Sequence, residues 1–326
     1  MKDARHYRHP RTAGPLTLVV EHVAGEEVLS GALVGGSDRF PILGGIPRFC
    51  HAENYTRTFG HQWTLFSTTQ LDSRAQWGNV SERRLFAETE WPRRMEGERI
   101  LEAGCGMGRF TEALARTGAE VFAFDSSVAV ESNLKNNGSL GNINFAQADI
   151  YAPPYEKGSF DRILCVGVVQ HCPSPRRAFE ALVPFLKPGG EIVIDVYRLS
   201  WHCLLLGKYY LRPLTRRLRP ETLHRLVKVH VGWVYPLTGS IQGLTGPWSR
   251  RLSAVLAVAD YRGVYDAPDG TLRVLAELDT FDMLSPMYDR PQTIAEVRRW
   301  FRDAALTDVE VRPGHNGIEA RGRRHR

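Results

Sequence analysis

At residues 99–110 the sequence reads RILEAGCGMGRF. Ile100 and Leu101 form a short apolar run that predicts a buried strand, and the apolar residues from Phe110 onward have helical spacing. The turn between them carries glycine at positions 104, 106 and 108. Because glycine has no Cβ and tolerates a positive φ, such a turn lets the backbone approach a ligand closely. The stretch therefore predicts a ligand-binding turn between a strand and a helix.

Two classes of cofactor use this layout. A dinucleotide fingerprint places glycine at the first, third and sixth positions, so that a pyrophosphate meets the N-terminus of the helix. Here the sixth position holds Arg109, and the third glycine comes one residue early, at Gly108. The acidic Glu102, two residues before the first glycine, suits a cationic ligand better than a pyrophosphate. An NAD-dependent dehydrogenase is therefore only a remote alternative.

Strand-like runs and helical patterns alternate from residue 98 to residue 197. This alternation predicts parallel β-α-β units in an α/β fold, where ligands bind beyond the carboxyl ends of the strands. Polar residues follow the predicted strands at Glu102, Asp125, Asp149, His171 and Tyr197. We therefore expect these side chains at one edge of one sheet.

The order of these elements resembles that of the class I S-adenosylmethionine (SAM) methyltransferases. The matching elements are [DE]xGxGxG at Glu102–Gly108, an acid at Asp125, QADI at 147–150, and SFD, HC and LKPGGE between 159 and 191. The resemblance covers roughly residues 98–197, together with the closing helix and hairpin. It implies a Rossmann-like doubly wound sheet, SAM as the cofactor, and an enzyme that transfers a methyl group.

The resemblance also implies roles for single residues. Asp125 would accept hydrogen bonds from the ribose hydroxyls, although it could instead cap the next helix, and Asp149 and Ile150 would contact the adenine. The residues expected to contact the cofactor are Glu102, Gly104, Cys105, Gly106, Gly108, Asp125, Ser126, Asp149, Ile150 and Val166. In the lead-in to the core, Tyr55 and His61 are candidates for the wall of the site.

His171 is the candidate catalytic residue. Histidine titrates near neutral pH and can act as the general base for a hydroxyl acceptor. Positioning alone can also suffice, because a sulfonium is already a strong electrophile and well-held reactants can lower a barrier by roughly 7–11 kcal/mol. His171 is therefore either a base or part of the pocket wall, and Asp195 and Tyr197 are rival candidates.

We divide the chain into five segments. They are a small β leader (1–50), a helical lead-in (51–97), the SAM-binding core (98–197), a helical lid insertion (198–279), and a helix with a β-hairpin that completes the core (280–326). In the last segment Thr293 and Glu296 predict a capping box.

The leader contains the phrase FPILGGIPRF at residues 40–49. It resembles the end of the zinc-ribbon leader of some bacterial SAM methyltransferases, in which paired cysteines flank the ribbon. No cysteine precedes Cys50 here, and His22 and His51 alone cannot supply four zinc ligands. We expect a degenerate ribbon without metal.

The insertion carries the basic charge of the chain. Residues 198–262 hold eleven Lys and Arg against two acids, whereas the whole chain has a net charge of +6. A solvated lid face, a peripheral membrane contact and a nucleic-acid patch would each explain this charge. No RNA-binding motif accompanies it, so we expect no nucleic-acid partner. Under the lid interpretation, Arg216, Arg217 and Arg219 would hold an anionic substituent of the substrate.

Composition places the chain among ordinary globular proteins. It has no run of ~18 apolar residues, no secretory h-region, and an odd number of cysteines, five, without a C-x-x-C pair. We expect a cytoplasmic enzyme that methylates a small molecule, with anionic and lipid- or sugar-linked biosynthetic compounds as candidates. An RNA-modifying methyltransferase and a non-catalytic SAM-binding module remain alternatives. The sequence does not indicate the methylated atom or the oligomeric state.

Overall fold

The computed structural model of the protein describes residues 1, 3–51, 53–75, 78–245 and 248–325. Within them lie a four-stranded and a seven-stranded sheet. The strands are β1 (Thr17–Ala24), β2 (Glu27–Gly35), β3 (Asp38–Leu43), β4 (Ile46–Pro47), β5 (Arg99–Ala103), β6 (Glu120–Asp125), β7 (Ile143–Gln147), β8 (Phe160–Cys165), β9 (Leu186–Val196), β10 (Leu306–Gly314) and β11 (Gly317–Arg324). The α-helices are α1 (Arg57–Leu65), α2 (Val80–Thr89), α3 (Arg109–Ala115), α4 (Ala129–Asn137), α5 (Pro175–Leu182), α6 (Gly207–Thr215), α7 (Pro220–Thr245), α8 (Trp248–Val255), α9 (Asp269–Leu284) and α10 (Ile294–Asp303).

The larger sheet has the strand order β7-β6-β5-β8-β9-β11-β10. β5 to β9 are parallel to one another, and β11 runs antiparallel to β9 and β10 on its two sides. Within this sheet the first strand along the chain is β5. β6 and β7 are then added on one side of it, and β8 and the later strands on the other side. This reversal beside β5 opens a crevice at the carboxyl ends of the strands. The predicted doubly wound α/β fold is confirmed.

Both faces of the parallel strands are buried. Leu101, Phe122 and Phe124 belong to one apolar cluster, whereas Ile100 and Val121 on the same strands belong to another. Adjacent residues on a strand point to opposite faces, so each strand must be apolar on both faces when helices cover both. This explains why the strands appear in the sequence as continuous apolar runs.

The apolar run from Ile163 to Val168 predicts the fourth core strand, but the strand is Phe160–Cys165. It ends early because Gly167 has a φ of 79°, which turns the chain away from the strand direction. The Gly167 amide donates to the carboxylate of Asp195 at this turn. The predicted capping box of α10 is confirmed, since Thr293 and Glu296 make both reciprocal hydrogen bonds.

The leader is an antiparallel meander, β1-β2-β3-β4, that packs beside the edge strand β7. The Phe49 amide donates to the carbonyl of Gln147 at 2.7 Å, and the Tyr7 hydroxyl donates to the carbonyl of Phe145 at 2.9 Å. The leader therefore covers backbone groups that an open sheet edge would expose. No cluster of three or more potential metal ligands occurs among the described residues.

The insertion forms α6 to α9, and α9 carries it past residue 279 to Leu284. Its apolar cluster joins the inner face of α7, at Leu223, Val227 and Val231, to α9 at Leu272 and Leu275. The insertion is anchored to the core by buried cations, because Lys208 pairs with Asp289 at 2.7 Å and Arg212 donates to the carbonyl oxygen of Pro286. Among the described residues, none of the helices combines the length and the apolar character that a membrane-spanning segment requires.

We expect Tyr7→Phe to destabilise the fold by about 1–3 kcal/mol, since it removes a buried donor from the Phe145 carbonyl. Urea unfolding followed by circular dichroism measures this change. The matched control is Tyr210→Phe, because that residue is 69% exposed and should change stability by less than about 0.5 kcal/mol. Equal unfolding midpoints for Tyr7→Phe and wild type would contradict a docked leader.

Candidate active site

A cavity of about 430 Å³ lies at the carboxyl ends of β5, β6, β8 and β9. Its floor is the glycine turn after β5, and its other walls come from α1, α2, the insertion and the tip of the β10–β11 hairpin. The predicted site residues that line it are Gly104, Cys105, Gly106, Asp125, Ser126, Ile150, Val166 and His171. Its size lies within the range of small-molecule sites.

Close packing makes glycine necessary in the turn. A Cβ on Gly104 would lie 2.4 Å from a methyl carbon of Val168, and one on Gly108 would lie 2.1 Å from the side-chain oxygen of Asn133. Both residues have positive φ, 78° and 95°. Gly104 therefore lets β5 approach the residues after β8, and Gly108 lets α3 pack against α4.

Asp125 ends β6 and fixes two turns at once. One carboxylate oxygen accepts from the Gly106 amide at 3.0 Å, and the other accepts from the Ser127 amide at 2.8 Å and the Ser127 hydroxyl at 2.7 Å. Burial raises the pKa of Asp125 above its ordinary value, although these donors stabilise its charged form. Its carboxylate lines the cavity, where a ligand hydroxyl can donate to it.

Three predicted cofactor residues do not line the cavity: Glu102, Gly108 and Asp149. Glu102 is 3% exposed and accepts a hydrogen bond from the Thr111 hydroxyl at the start of α3. Burial raises the pKa of Glu102 to about 8. Asp149 accepts from the amide of Tyr151 at 3.0 Å. Glu102 thus joins β5 to α3, and its role at the cofactor remains a prediction, as does that of Asp149.

The lead-in covers the cofactor side of the cavity. The Thr56 and Ser126 hydroxyls are 3.0 Å apart, and Ile150 and Val166 provide apolar walls. Tyr55 also lines the cavity, whereas His61 does not and instead packs against Phe281. The pocket therefore has the polar and apolar surfaces that a nucleoside requires.

His171 lies after β8, is 6% exposed and faces the cavity. Its Nδ1 is 3.1 Å from the carbonyl oxygen of Tyr288, and its ring meets the ring of Tyr197 edge to face at 5.4 Å. Burial lowers the pKa of His171 below its ordinary value. Of the rival candidates, Tyr197 lines the cavity, whereas Asp195 is fully buried and pairs with Arg84 at 2.6 Å.

Several cavity residues were missed by the sequence reasoning. They are Gln62 from α1, Arg109 from α3, Gln170 after β8, Tyr261 before α9, and Asp279 and Asp282 from α9. Both side-chain polar atoms of Gln170 are buried without a hydrogen-bond partner among the described residues. Since buried polar groups are rarely left unpaired, this amide indicates a ligand with polar atoms. No local sequence pattern marks these residues.

The expectation for Arg216, Arg217 and Arg219 is wrong. All three are exposed to solvent, and none lines the cavity. They lie in the connection between α6 and α7, which faces outward because the inner face of α7 packs on α9. The insertion instead contributes carboxylates to the cavity, from Asp279 and Asp282. Burial raises the pKa of Asp279 to about 6.

Comparison with known families gives a match over the central part of the chain. Residues 101–194 match the family described as "Methyltransferase domain". The chain is 39% identical over 105 residues to an uncharacterized protein of Synechococcus sp., which covers 30% of this chain and 25% of that protein. It is 34% identical over 113 residues to the ubiquinone biosynthesis O-methyltransferase of Coxiella burnetii, covering 34% of this chain and 48% of that enzyme. The chain thus spans about half the length of the Coxiella enzyme and about a quarter of the length of the Synechococcus protein.

Two solved structures have more distant similarity. Human N-acetylserotonin methyltransferase in complex with SAM is 14% identical with a TM-score of 0.47, over 85% of this chain and 60% of that one. The [4+2]-cyclase SpnF is 22% identical with a TM-score of 0.40, over 48% of this chain and 64% of that one.

We expect Asp125→Asn to weaken binding of S-adenosylhomocysteine about tenfold, because the amide presents one acceptor fewer to the ligand hydroxyls. Titration calorimetry measures the dissociation constant. Glu120→Gln is the control, since Glu120 begins the same strand, at the end remote from the cavity. Equal affinity in Asp125→Asn and Glu120→Gln would refute the role assigned to Asp125.

Proposed function

We propose that this chain transfers a methyl group from SAM to a small-molecule acceptor, because residues 101–194 match the family described as "Methyltransferase domain". The observation that carries the proposal is one cavity that joins the glycine turn and Asp125 on one side to His171 and Tyr197 on the other. SAM supplies an electrophilic methyl group on a sulfonium. The residues of the chain then need to orient the acceptor, exclude water and receive a proton.

The cofactor would occupy the side of the cavity at β5, β6 and the residues after β7. Asp125 would accept from the ribose hydroxyls, and Ile150 and Val166 would pack against the adenine. The amide of Gln170 offers both a donor and an acceptor to the bound molecules. These groups fit a ligand with a nucleoside at one end and charged groups at the other.

His171 is suited to receive the proton of a hydroxyl acceptor. A carbonyl oxygen is only an acceptor, so Nδ1 must carry a hydrogen to bond with Tyr288, and the lone pair of the neutral ring is then at Nε2. Burial favours this neutral form, since it lowers the pKa of His171. The Phe59 ring, 5.0 Å away, and the Tyr197 ring hold the imidazole in place.

We expect His171→Gln to lower the rate of methyl transfer about 10²–10⁴-fold while S-adenosylhomocysteine still binds. In the wild type the rate should rise with pH through the pKa of His171, which burial lowers below its ordinary value, and then level off, because only the neutral ring accepts a proton. The assay uses methyl-labelled SAM with a metabolite extract, and then the isolated acceptor.

The matched control is His315→Gln, a second histidine of the cavity wall whose pKa is also lowered by burial. It should retain the acidic limb of the pH profile. If the His171→Gln variant kept both the wild-type rate and the fall of the rate at acidic pH, His171 would be part of the pocket wall alone. A non-catalytic SAM-binding module would never accumulate S-adenosylhomocysteine with any extract.

The partner of the insertion is also a proposal. The outer face of α7 carries a second apolar stripe, Leu226, Val229, Trp233 and Leu237, whose exposed fractions run from 53% to 78%. This face lies opposite the stripe that packs on α9. Exposed apolar side chains continue towards the N-terminal end of the insertion, with Trp201, Leu204, Tyr210 and Leu214 each at least 68% exposed. A stripe with this spacing is typical of a helix that has a partner on both faces.

The charge beside the stripe favours an anionic lipid surface as this partner. Arg225 and Lys228 are exposed beside the stripe, and Arg216, Arg217 and Arg219 precede the helix. Tryptophan and basic residues together on a helix surface suit the headgroup region of a bilayer. The contact would be peripheral, with the helix lying on the surface. A cytoplasmic location remains a prediction, supported by the five cysteines, all free thiols.

We expect the chain to co-sediment with vesicles that contain phosphatidylglycerol, and less so as salt is raised. Val229→Gln with Trp233→Gln should reduce binding at least about tenfold, because both side chains lose their apolar contact with lipid. Val20→Gln with Val23→Gln is the control, since these leader residues are also apolar and each 49% exposed.

Unchanged vesicle binding in the double α7 variant would refute the lipid contact. A dimer that the same variant converts to monomer would show instead that the stripe joins two copies of the chain. The RNA-modifying alternative predicts a third result, which is tRNA binding with a steep salt dependence.

A further inference from the structure

The half of the cavity beyond the cofactor side has its own set of residues. It lies at the ends of β8 and β9, where His171 and Tyr197 meet α1 and α9. The edge-to-face contact of His171 and Tyr197, and the 3.5 Å approach of the Tyr197 hydroxyl to a carboxylate oxygen of Asp282, link the candidate base to α9. This half is where the methyl acceptor would bind, and the inference below therefore rests on the proposed function.

Two carboxylates of α9 face this half from consecutive turns. Asp279 and Asp282 are three residues apart, which places them on the same side of the helix. The Tyr261 hydroxyl donates to Asp279, and Gln62 Nε2 donates to Asp282 at 3.1 Å. Burial raises the pKa of Asp279, and repulsion by the negative charge of Asp282 raises it further. A positive charge between them would relieve that repulsion.

Gln62 provides an independent indication of a ligand. It is fully buried and lines the cavity, and its Oε1 has no hydrogen-bond partner among the described residues. The amide cannot be reversed without placing Oε1 against the carboxylate of Asp282, because Nε2 already donates there. The unpaired atom is therefore an acceptor, and the group that satisfies it must be a donor.

The arginines of the cavity do not form ion pairs with Asp279 or Asp282 among the described residues. Arg84 pairs with Glu88 and Asp195, each at 2.6 Å, and neither of those acids lines the cavity. Arg109 donates to Gln70 at 2.9 Å, and burial lowers the pKa of Arg109 to about 10. The charges of Arg109 and Arg84 lower the pKa of Asp279. Among the described residues, however, neither arginine forms an ion pair with Asp279 or Asp282, so both carboxylates remain available to a ligand.

We propose that Asp279, Asp282 and Gln62 bind a protonated amine of the methyl acceptor. The aromatic rings of Phe59, Tyr197 and Tyr261 that also line the cavity favour a cation through their π faces. An anionic acceptor is disfavoured, because it would meet two carboxylates and an unpaired carbonyl oxygen. This reverses the expectation of an anionic substituent held by arginines.

The Tyr197 side chain also indicates how far apart the hydroxyl and the amine of the acceptor would lie. Its ring contacts His171, and its hydroxyl contacts Asp282, so the base and the amine site lie about one aromatic side chain apart. Tyramine has a phenol at one end and an ammonium at the other. Both control compounds keep the phenol. Tyrosol has a hydroxyl in place of the ammonium, and 4-hydroxyphenylacetate has a carboxylate in place of the terminal CH2–NH3+ group. These three compounds therefore probe the charge of the subsite on one framework.

The experiment is titration calorimetry of each compound into the protein saturated with S-adenosylhomocysteine. Tyramine should bind at least about tenfold more tightly than 4-hydroxyphenylacetate, because hydrogen bonds to a charged donor are the stronger ones. Asp282→Asn should remove this preference and leave the affinity for S-adenosylhomocysteine within about twofold. Glu277→Gln is the control, since it makes the same change on α9 at a residue that pairs with His224 outside the cavity.

Equal or tighter binding of 4-hydroxyphenylacetate overturns the proposal, as does binding of none of the three. Tighter binding of tyrosol than of tyramine would assign the subsite to hydroxyl groups. A loss of S-adenosylhomocysteine affinity in Asp282→Asn would assign the carboxylates to the cofactor instead. Failure of the wild type to bind S-adenosylhomocysteine at all is distinct from these results and contradicts the proposed function itself.

Discussion

The site depends on one buried carboxylate. Asp125 binds the Gly106 amide with one oxygen and the Ser127 amide and hydroxyl with the other, so it ties the turn after β5 to the turn after β6. Both turns lie at the point where the strand order reverses. A carboxylate buried there is costly unless donors surround it, and the protein supplies three. The backbone geometry that a cofactor would meet is therefore set before any ligand binds.

The insertion is held over this site by buried charges. Lys208 and Arg212 lie within 4 Å of Asp289, and Arg212 also donates to the carbonyl oxygens of Met283 and Pro286. Buried ion pairs add little net stability, because desolvation offsets their attraction. They do penalise other arrangements, since any displacement would leave a charge unpaired. These contacts therefore fix the position of α9, and with it that of Asp279 and Asp282.

The sequence was sufficient for the parts of the molecule that depend on local chemistry. Continuous apolar runs marked the parallel strands, the glycine spacing marked the turn, and the resemblance to class I methyltransferases is confirmed over residues 101–194. Asp125 could be placed at the cavity because it ends a predicted strand. Glu102 could not, since its hydrogen bond to Thr111 depends on how α3 packs against β5.

The other half of the cavity depends on contacts that are distant in sequence. Gln62 and Asp282 are 220 residues apart, and no periodicity or motif connects them. The basic residues of the insertion predict a positively charged site, whereas the insertion presents carboxylates to the cavity. A charge count does not show which face of a helix carries the charge. Arg216, Arg217 and Arg219 face solvent, while the two aspartates of α9 face the cavity.

The boundary of the family match has a structural meaning. It ends at residue 194, within β9 and before Tyr197. The residues that we propose face the acceptor come from α1 and the insertion, which lie outside that match; they are Phe59, Gln62, Tyr261, Asp279 and Asp282. A shared fold specifies where a cofactor can bind, whereas the groups placed around the cavity decide what else enters it. The choice of acceptor must therefore be sought in the residues before 101 and after 194, and the carboxylates of α9 are the first of these to change.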